Sequence, residues 1–440
     1  MADARVTIDR LAFGGNGVGR IGGKVCFVPF SCPGDELTVR VVSEKRSYLT
    51  AAITEIIRPG ADRITPMCPL FGSCGGCNWQ HVAYERQLSE KQAIFADTLW
   101  RGARVPVEKI GAIVAAPSPY AYRRRVQFKL SMTKPGLRIG FYRNASHDVE
   151  DAVEGCPVAT REINAALSDL RGILSSFPEP DRIPQINVDA TERAVVAIVN
   201  YTGADKDGAA AFFERCSARF GAISGLYLRC GRKSSLRKIY GDDLLEYFLT
   251  GGSDEKSPYS LTYKPGGFAQ TNSAQNAAIL ALIRKFAGAA GHDRILDLYC
   301  GNGNFSLPLA GSVAHVTGIE EHSGSVESAR ENARRNGNAN VEFLCATAAW
   351  GLRRIIGEGK RYNTVILDPP RTGAADALPE LLRLGPEKII YVSCDPASLA
   401  RDCGILAAGG YDAENCVPVD MFPQTHHLES VTLLRQRTRR

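Results

Sequence analysis

Asp297-Leu298-Tyr299-Cys300-Gly301-Asn302-Gly303-Asn304-Phe305 closes an apolar run, Arg294–Tyr299, that reads as a β-strand, and it opens a helical pattern. Glycines at these positions let the backbone turn tightly and approach a ligand at the carboxyl end of a sheet. A pyrophosphate-binding loop needs G-x-G-x-x-G; here the run is G-N-G-N-F-S, and the missing third glycine weakens a dinucleotide reading. Glu320 ends the next strand-like run, Val313–Glu320, 23 residues after Asp297, where a carboxylate can take both ribose hydroxyls. The stretch therefore predicts an α/β sheet that binds a nucleoside cofactor at its strand ends.

Downstream, Val341–Ala346, Thr364–Asp368 and Lys388–Ser393 repeat the alternation of Ile/Leu/Val-rich strand and helical segment that builds a doubly wound parallel sheet. A last pair, Asp412–Val419 and Ser430–Arg435, supplies an antiparallel edge. Asp-x-x-x-Gly-Asn-Gly with an acid after the second strand is the usual appearance of a Rossmann-like methyltransferase, although dehydrogenases share parts of it. Upstream, Phe268-Ala269-Gln270-Thr271-Asn272 precedes a helix, and Asn272 or Ser273 reads as its N-cap.

Two constellations sit at the ends of later strands. Asp368-Pro369-Pro370-Arg371 has two prolines that stiffen the loop and fix where Asp368 points. Amino-methylating enzymes often carry an aromatic where Arg371 stands, which argues against that chemistry. Ser393-Cys394-Asp395 offers a thiol near the cofactor. Carbon 5 of uracil is a poor nucleophile until a thiolate adds at carbon 6, so a strand-end thiol suits covalent methylation of that carbon. Such a thiolate calls for nearby positive charge, and a buried structural cysteine is the plain alternative. A base is also needed, and Glu429, His426 and His427 are open candidates in the polar loop that ends the chain's last strand pair.

The first 60 residues alternate short β runs (Arg5–Leu11, Lys24–Pro29, Glu36–Ser43, Tyr48–Ile57) with Gly-rich turns, a pattern of small barrels. His81–Arg101 reads as a helix. Arg101–His147 holds ten Lys or Arg against one acidic residue, Glu108, within a chain of net charge +6. That concentration suits a polyanion-binding face. Arg123, Arg124 and Arg125 stand beside Tyr120, Tyr122 and Phe128, as cations and aromatics interleave on single-strand-binding surfaces. The C-terminal Arg435, Arg437, Arg439 and Arg440 form a second basic tail. Residues 160–250 alternate helix and strand without chemical signature, and Thr250–Pro258 reads as a polar break. Thirteen cysteines without a secretory signal point to ligand or catalytic thiols rather than disulfides. No membrane span is present, and a cytoplasmic monomer is expected.

Together these residues resemble the RNA uracil-5 methyltransferase family, whose members modify 23S rRNA or tRNA. D-P-P-R-T-G (368–373), followed after 15 residues by I-I-Y-V-S-C-D (389–395), is similar to the family's nucleophile signature. V-D-M-F-P-Q-T-H-H-L-E (419–429) is similar to its terminal signature. The resemblance implies Cys394 as nucleophile and Glu429 as base. It implies S-adenosylmethionine held by Gln270, Tyr299, Asn304, Glu320 and Asp368. Cys345-Ala346-Thr347 departs from the Asp or Asn expected near the adenine, so Thr347 stays outside the site.

The resemblance also implies a TRAM RNA-binding module in residues 1–60, carried by G-G-N-G-V-G-R and F-V-P-F…P-G-D. Cys68, Cys74 and Cys77, spaced C-x5-C-x2-C, with Cys156 resemble the [4Fe-4S] site of the rRNA-modifying branch; tetrahedral zinc suits the same thiols. The implied fold class is α/β: a Rossmann-like class I methyltransferase domain (81–114 and 258–440), an OB-like TRAM barrel (1–60) and a central α+β iron–sulfur domain (61–80 and 115–257). The expected substrate is 23S rRNA. Alternatives are tRNA uridine, an RNA cytosine-5 methyltransferase (which would carry Pro-Cys rather than Ser393-Cys394), and a non-catalytic RNA-binding protein.

Overall fold

In the computed structural model, which describes residues 3–134, 136–231, 236–249 and 259–437, period-two alternation at the N-terminus closes into a barrel. Strands β1 (Asp3–Leu11), β2 (Gly17–Ile21), β3 (Lys24–Val28), β4 (Glu36–Glu44) and β5 (Tyr48–Arg58) pair in the order β1-β2-β3-β5-β4, with β4 returning to β1. Val6, Ile8, Val28, Leu37 and Val39 point inward and make its core. The strand β2 lies inside a run that reads as turn because of its glycines. Gly19 is required there by the close approach of β1: an added Cβ would sit 2.3 Å from the Thr7 carbonyl.

A twenty-residue helix, α1 (Tyr84–Ala103), follows the cysteine loop and packs against the C-terminal part of the chain, to whose core it contributes Phe95 and Leu99. Next come β6 (Arg125–Thr133), β7 (Gly136–Tyr142), β8 (Val149–Asp151), α2 (Arg161–Leu174), β9 (Gln185–Ala190), β10 (Val195–Tyr201), α3 (Lys206–Arg215), β11 (Gly225–Cys230) and β12 (Leu236–Tyr240). They form one mixed seven-stranded sheet, ordered β12-β11-β10-β9-β6-β7-β8, whose core includes Ile163, Leu167, Leu170 and Leu174 of α2. A two-stranded antiparallel sheet, β13 (Leu245–Leu249) with β14 (Tyr259–Tyr263), leads on. The polar break Thr250–Pro258 and the last three residues of the basic tail lie outside the described residues.

The remaining elements are α4 (Ser273–Ala287), β15 (Arg294–Leu298), α5 (Ser306–Ala310), β16 (His315–Glu320), α6 (Ser323–Arg335), β17 (Val341–Cys345), α7 (Ala348–Gly357), β18 (Thr364–Leu367), α8 (Leu378–Leu384), β19 (Lys388–Ser393), α9 (Pro396–Ala408), β20 (Tyr411–Val419) and β21 (Glu429–Gln436). Their sheet runs β17-β16-β15-β18-β19-β21-β20, parallel as far as β19 and antiparallel at β21 and β20. Its central strands are buried on both faces, as their continuous Ile/Leu/Val runs demand. Strand order reverses between β15 and β18, so a crevice opens above those two strand ends. The free edge of β20 is covered by residues 110–114, which bridge to Cys416 and Val419. Among the described residues no helix is long and apolar enough to cross a membrane.

Candidate active site

The loop after β15 is held by its own strain and by the next strand. Tyr299 has φ +63, which a non-glycine residue rarely adopts, and Gly303 follows at φ +91. Glu320, at the end of β16, accepts from the Gly301 N–H at 3.1 Å and from the His322 N–H at 2.8 Å, so its carboxylate braces the cofactor loop. Asn304 exchanges two 2.9 Å amide bonds with Asn276 of α4. Asn272 caps α4 through the Gln275 N–H and also donates to the Met421 carbonyl at 3.1 Å. Gln270 lies before this helix, lining a cavity with Arg124, Arg125, Tyr247 and Asn276.

Asp297 is fully buried behind the loop. Ser306 donates to one carboxylate oxygen at 2.5 Å, and the other oxygen has no partner. Burial pushes its carboxyl up to about 7, with the Ser306 bond opposing and the charges of Asp368 and Glu320 adding. An orphaned acid oxygen facing two more carboxylates fits a cationic ligand, which the sulfonium and ammonium groups of S-adenosylmethionine provide. The folded chain holds the Asp297 proton to about pH 7, the unfolded chain only to about 3.8. Stability from this group is therefore full below 3.8 and is lost as pH rises through about 7. We expect the ligand-free protein's melting temperature to fall over that window, and Asp297→Asn to flatten the fall; an unchanged slope in the variant refutes the assignment.

Sheet register brings the second constellation together. Because β19 and β21 run antiparallel with Ser393 opposite Ser430, the next positions, Cys394 and Glu429, face each other where the ladder ends. Asp368 leaves β18 beside them; Leu367 pairs with Tyr391 of β19. The Cys394 thiol is pushed up to about 12, by burial first and then by Glu429 and Asp368, with Arg371 opposing. Glu429 is held well above the usual carboxylate range by burial and by Asp368, again with Arg371 opposing. Burial raises Asp368 to about 7. A thiol and a carboxyl that both retain protons thus share one low-polarity corner, with one exposed guanidinium able to bias both toward their charged forms.

The walls of this corner are anchored from outside it. Asp402 of α9 accepts from the Ala374 N–H at 2.8 Å and from the Tyr391 hydroxyl at 2.7 Å, tying down the loop that carries Asp368 and Arg371. Lys91 of α1 donates to Asp420 at 2.5 Å and to the Phe422 carbonyl at 3.1 Å. Gln87 and Gln424 exchange two 3.0 Å bonds. These last contacts hold the segment leading to Glu429 against α1.

Comparison with known proteins gives the family. The model of the family described as tRNA (Uracil-5-)-methyltransferase matches residues 83–437, and the TRAM domain model matches residues 3–54. The chain belongs to the tRNA (Uracil-5-)-methyltransferase family. It is 32% identical to the 23S rRNA (uracil(1939)-C(5))-methyltransferase RlmD of Aeromonas salmonicida, over 98% of this chain and 96% of that one. An uncharacterized RNA methyltransferase of Thermosynechococcus vestitus is 35% identical, covering 98% of each chain. Among solved structures, the Pyrococcus abyssi tRNA (uracil-54, C5)-methyltransferase in complex with S-adenosyl-L-homocysteine covers 98% of this chain and 100% of its own, at 25% identity and a TM-score of 0.74. The protein is thus an S-adenosylmethionine-dependent RNA uracil-5 methyltransferase, with a TRAM barrel and a Rossmann-like catalytic sheet.

In this methyltransferase, Cys68, Cys74, Cys77 and Cys156 line one pocket with Leu70, Phe71, Phe141 and Val158. The cysteine loop docks on the sheet beside them, Gly75 donating to the Tyr142 carbonyl at 2.9 Å. Burial raises all four thiols, Cys74 to about 11 and Cys77 to about 12. Among the described residues, no three His, Cys, Asp or Glu side chains converge as one metal ion requires. The three arginines do not form an open cationic face. Arg124 pairs with Glu192 at 2.7 Å, Arg125 with Asp189 at 3.0 Å, and Arg123 lines the cysteine pocket. Sequence reading passed over Arg371 as a charge source and over Lys91 and Asp420 as a pair. A lysine among the buried residues of an amphipathic helix was the available signal for the latter.

Proposed function

We propose that this enzyme methylates carbon 5 of one uridine in 23S rRNA, with Cys394 as nucleophile and Glu429 as the base for the carbon 5 proton. The observation that carries the reading is the opposed Cys394–Glu429 position at the strand ends, beside Asp368 and the cofactor crevice. Tyr299, Asn304, Glu320, Asp368 and Gln270 are assigned to S-adenosylmethionine. When bound, the cofactor supplies an electrophilic methyl group on a sulfonium. The Cys394 thiol gives up its proton to solvent, helped by Arg371, and its sulfur bonds to carbon 6. The ring electrons move onto carbon 4 oxygen and make carbon 5 nucleophilic. Glu429 must first release its own proton to solvent, with Arg371 opposing the effect of burial; once carbon 5 bears both methyl and hydrogen, the ionised carboxylate takes that hydrogen as a proton. The double bond reforms, the carbon 6–sulfur bond breaks, and the departing thiolate recovers the proton from Glu429. The raised proton affinity of Glu429 suits this task.

RNA containing 5-fluorouridine tests the assignment, because fluorine blocks the final elimination. A denaturation-resistant adduct is expected with the wild-type protein and none with Cys394→Ala; the reverse refutes the nucleophile. The rRNA substrate rests on full-length likeness to RlmD proteins. The solved tRNA (uracil-54, C5)-methyltransferase favours tRNA as the second reading. Mass spectrometry of nucleosides from a deletion strain separates them: 5-methyluridine is expected to fall in 23S rRNA, and a fall confined to tRNA overturns the first reading.

The division into 1–60, 61–80 with 115–257, and 81–114 with 258–440 belongs to the same proposal, as do a cytoplasmic location and a monomeric state. For the four cysteines we infer a [4Fe-4S] cluster with a structural, RNA-contacting role. The four thiols lining one pocket, with a ligand count that suits such a cluster, support this reading. Protein prepared without oxygen should contain about four irons and four sulfides per chain. Zinc without sulfide would overturn the cluster.

A further inference from the structure

The two histidines before Glu429 take no part in the chemistry above, and they are not isolated. Three loops from distant parts of the chain meet on them. The turn at Ala12–Asn16 of the barrel is gripped by Trp79, whose indole N–H donates to the Gly15 carbonyl at 2.9 Å. Asn78 and Trp79 both donate their backbone N–H to the Gln424 carbonyl at 3.0 Å. The Nδ1 of His426 lies 2.9 Å from the Asn78 side-chain oxygen, a hydrogen bond that ties the two loops together. Gly15 sits so close that an added Cβ would stand 3.2 Å from Asn78 and 3.4 Å from His426.

Rings continue across this junction. Phe13, at the tip of the barrel turn, is 44% exposed and stands edge-on to His426 at 5.9 Å. His426 and His427 lie 4.2 Å apart, tilted by 38°, and His427 meets Phe422 edge-on at 6.0 Å. Burial, followed by neighbouring cations that include Arg371, lowers both imidazoles, His427 to about 3, so both are neutral at physiological pH. A phenyl ring on a turn tip is not core packing. It offers a free π face at the start of an uncharged row that ends two residues from Glu429.

We propose that Phe13, His426 and His427 seat one unpaired base of the RNA, the immediate neighbour of the target uridine. The inference rests on the uridine-methylating reading and adds the partner surface to it. A uridine that reaches Cys394 must leave its stack. Its neighbour then loses a stacking partner, and a flat neutral ring beside the catalytic corner replaces it. The exposed guanidinium of Arg371 lies within electrostatic reach of both histidines and can meet a phosphate of the bound strand. The occupant is thus a base of single-stranded RNA, taken for its π face rather than its hydrogen-bonding edge.

The test uses short single-stranded RNAs carrying 5-fluorouridine at the centre and 2-aminopurine on its 5′ or its 3′ side, with S-adenosylmethionine present. With the wild-type protein, the Cys394 adduct forms and 2-aminopurine emission is quenched on one of the two sides. Phe13→Ala and Phe13→Leu are expected to abolish that quenching and to weaken RNA binding about ten- to a hundredfold, while Phe13→Trp retains both. Leucine keeps the bulk but not the π face, so loss in both variants separates stacking from filling. Quenching that persists in Phe13→Ala, or adduct formation with no quenching on either side, refutes the seat and leaves the methyltransferase reading standing. Absence of any adduct refutes both.

Discussion

Glu429→Gln is expected to convert the enzyme from a catalyst into a covalent trap for its own RNA. Every step before the last deprotonation requires Cys394, the cofactor and a bound uracil, none of which the substitution removes. Glutamine is close to isosteric with the protonated acid that burial favours in the empty site. The fold should therefore tolerate it, and the buried position should be relieved of a group that costs free energy to ionise. What glutamine cannot do is take the proton from carbon 5. Methylated adduct should accumulate on ordinary uridine-containing RNA, without any fluorinated analogue, and multiple turnover should fall by about 10²–10⁴-fold, the usual contribution of a positioned base. Denaturing gel shift of radiolabelled RNA reads the adduct; label from the methyl donor should migrate with the protein. A variant that turns over normally would remove Glu429 from the mechanism and return the base to His426 or His427. Substitution of either histidine, by contrast, should weaken RNA binding without trapping.

The contrast shows which relations a sequence can display. The cofactor loop was legible because it is local: strand, glycine turn and helix lie within about a dozen consecutive residues, and Glu320 follows at a distance fixed by one crossover. The strands of the catalytic sheet were legible for the same reason, and their ends moved by only a residue or two. Strand β2 was missed because glycines in a strand look like a turn until the neighbouring strand that needs them close is seen. Cys394 could be placed at a strand end, but its partner could not be chosen from three residues by physics, since the choice depends on the β19–β21 register. The partners of the arginine triplet were hidden for a related reason. Asp189 and Glu192 lie more than 60 residues away, on and just after β9, and only sheet formation brings them to Arg124 and Arg125. Charge counted along a chain records supply, while the fold decides how much of it stays free.

Lys91→Met should be the most destabilising conservative-volume change in the catalytic half, and it tests whether α1 belongs to the active site's support. Lys91 is 1% exposed and Asp420 is fully buried, with their charged atoms 2.5 Å apart. One oxygen of Asp420 already lacks a hydrogen-bond partner. Burial lowers the Lys91 ammonium, and the attraction of Asp420 works against that loss. Methionine fills similar space but leaves Asp420 as a buried carboxylate without its cation, which typically costs about 3–5 kcal/mol. The double variant Lys91→Met/Asp420→Asn removes both charges and should recover most of that stability, because a neutral buried pair carries little desolvation penalty. Urea denaturation of the three variants gives the coupling directly. Activity supplies the second readout. Asp420 starts the segment that ends at Glu429, and its carbonyl also receives the Gln275 side chain at 2.9 Å. If the pair positions the base, the stable double variant should still lose kcat, and at high pH its rate should not recover. If the pair only holds the fold together, restoring stability restores kcat in full, and α1 is then packing rather than part of the catalytic frame.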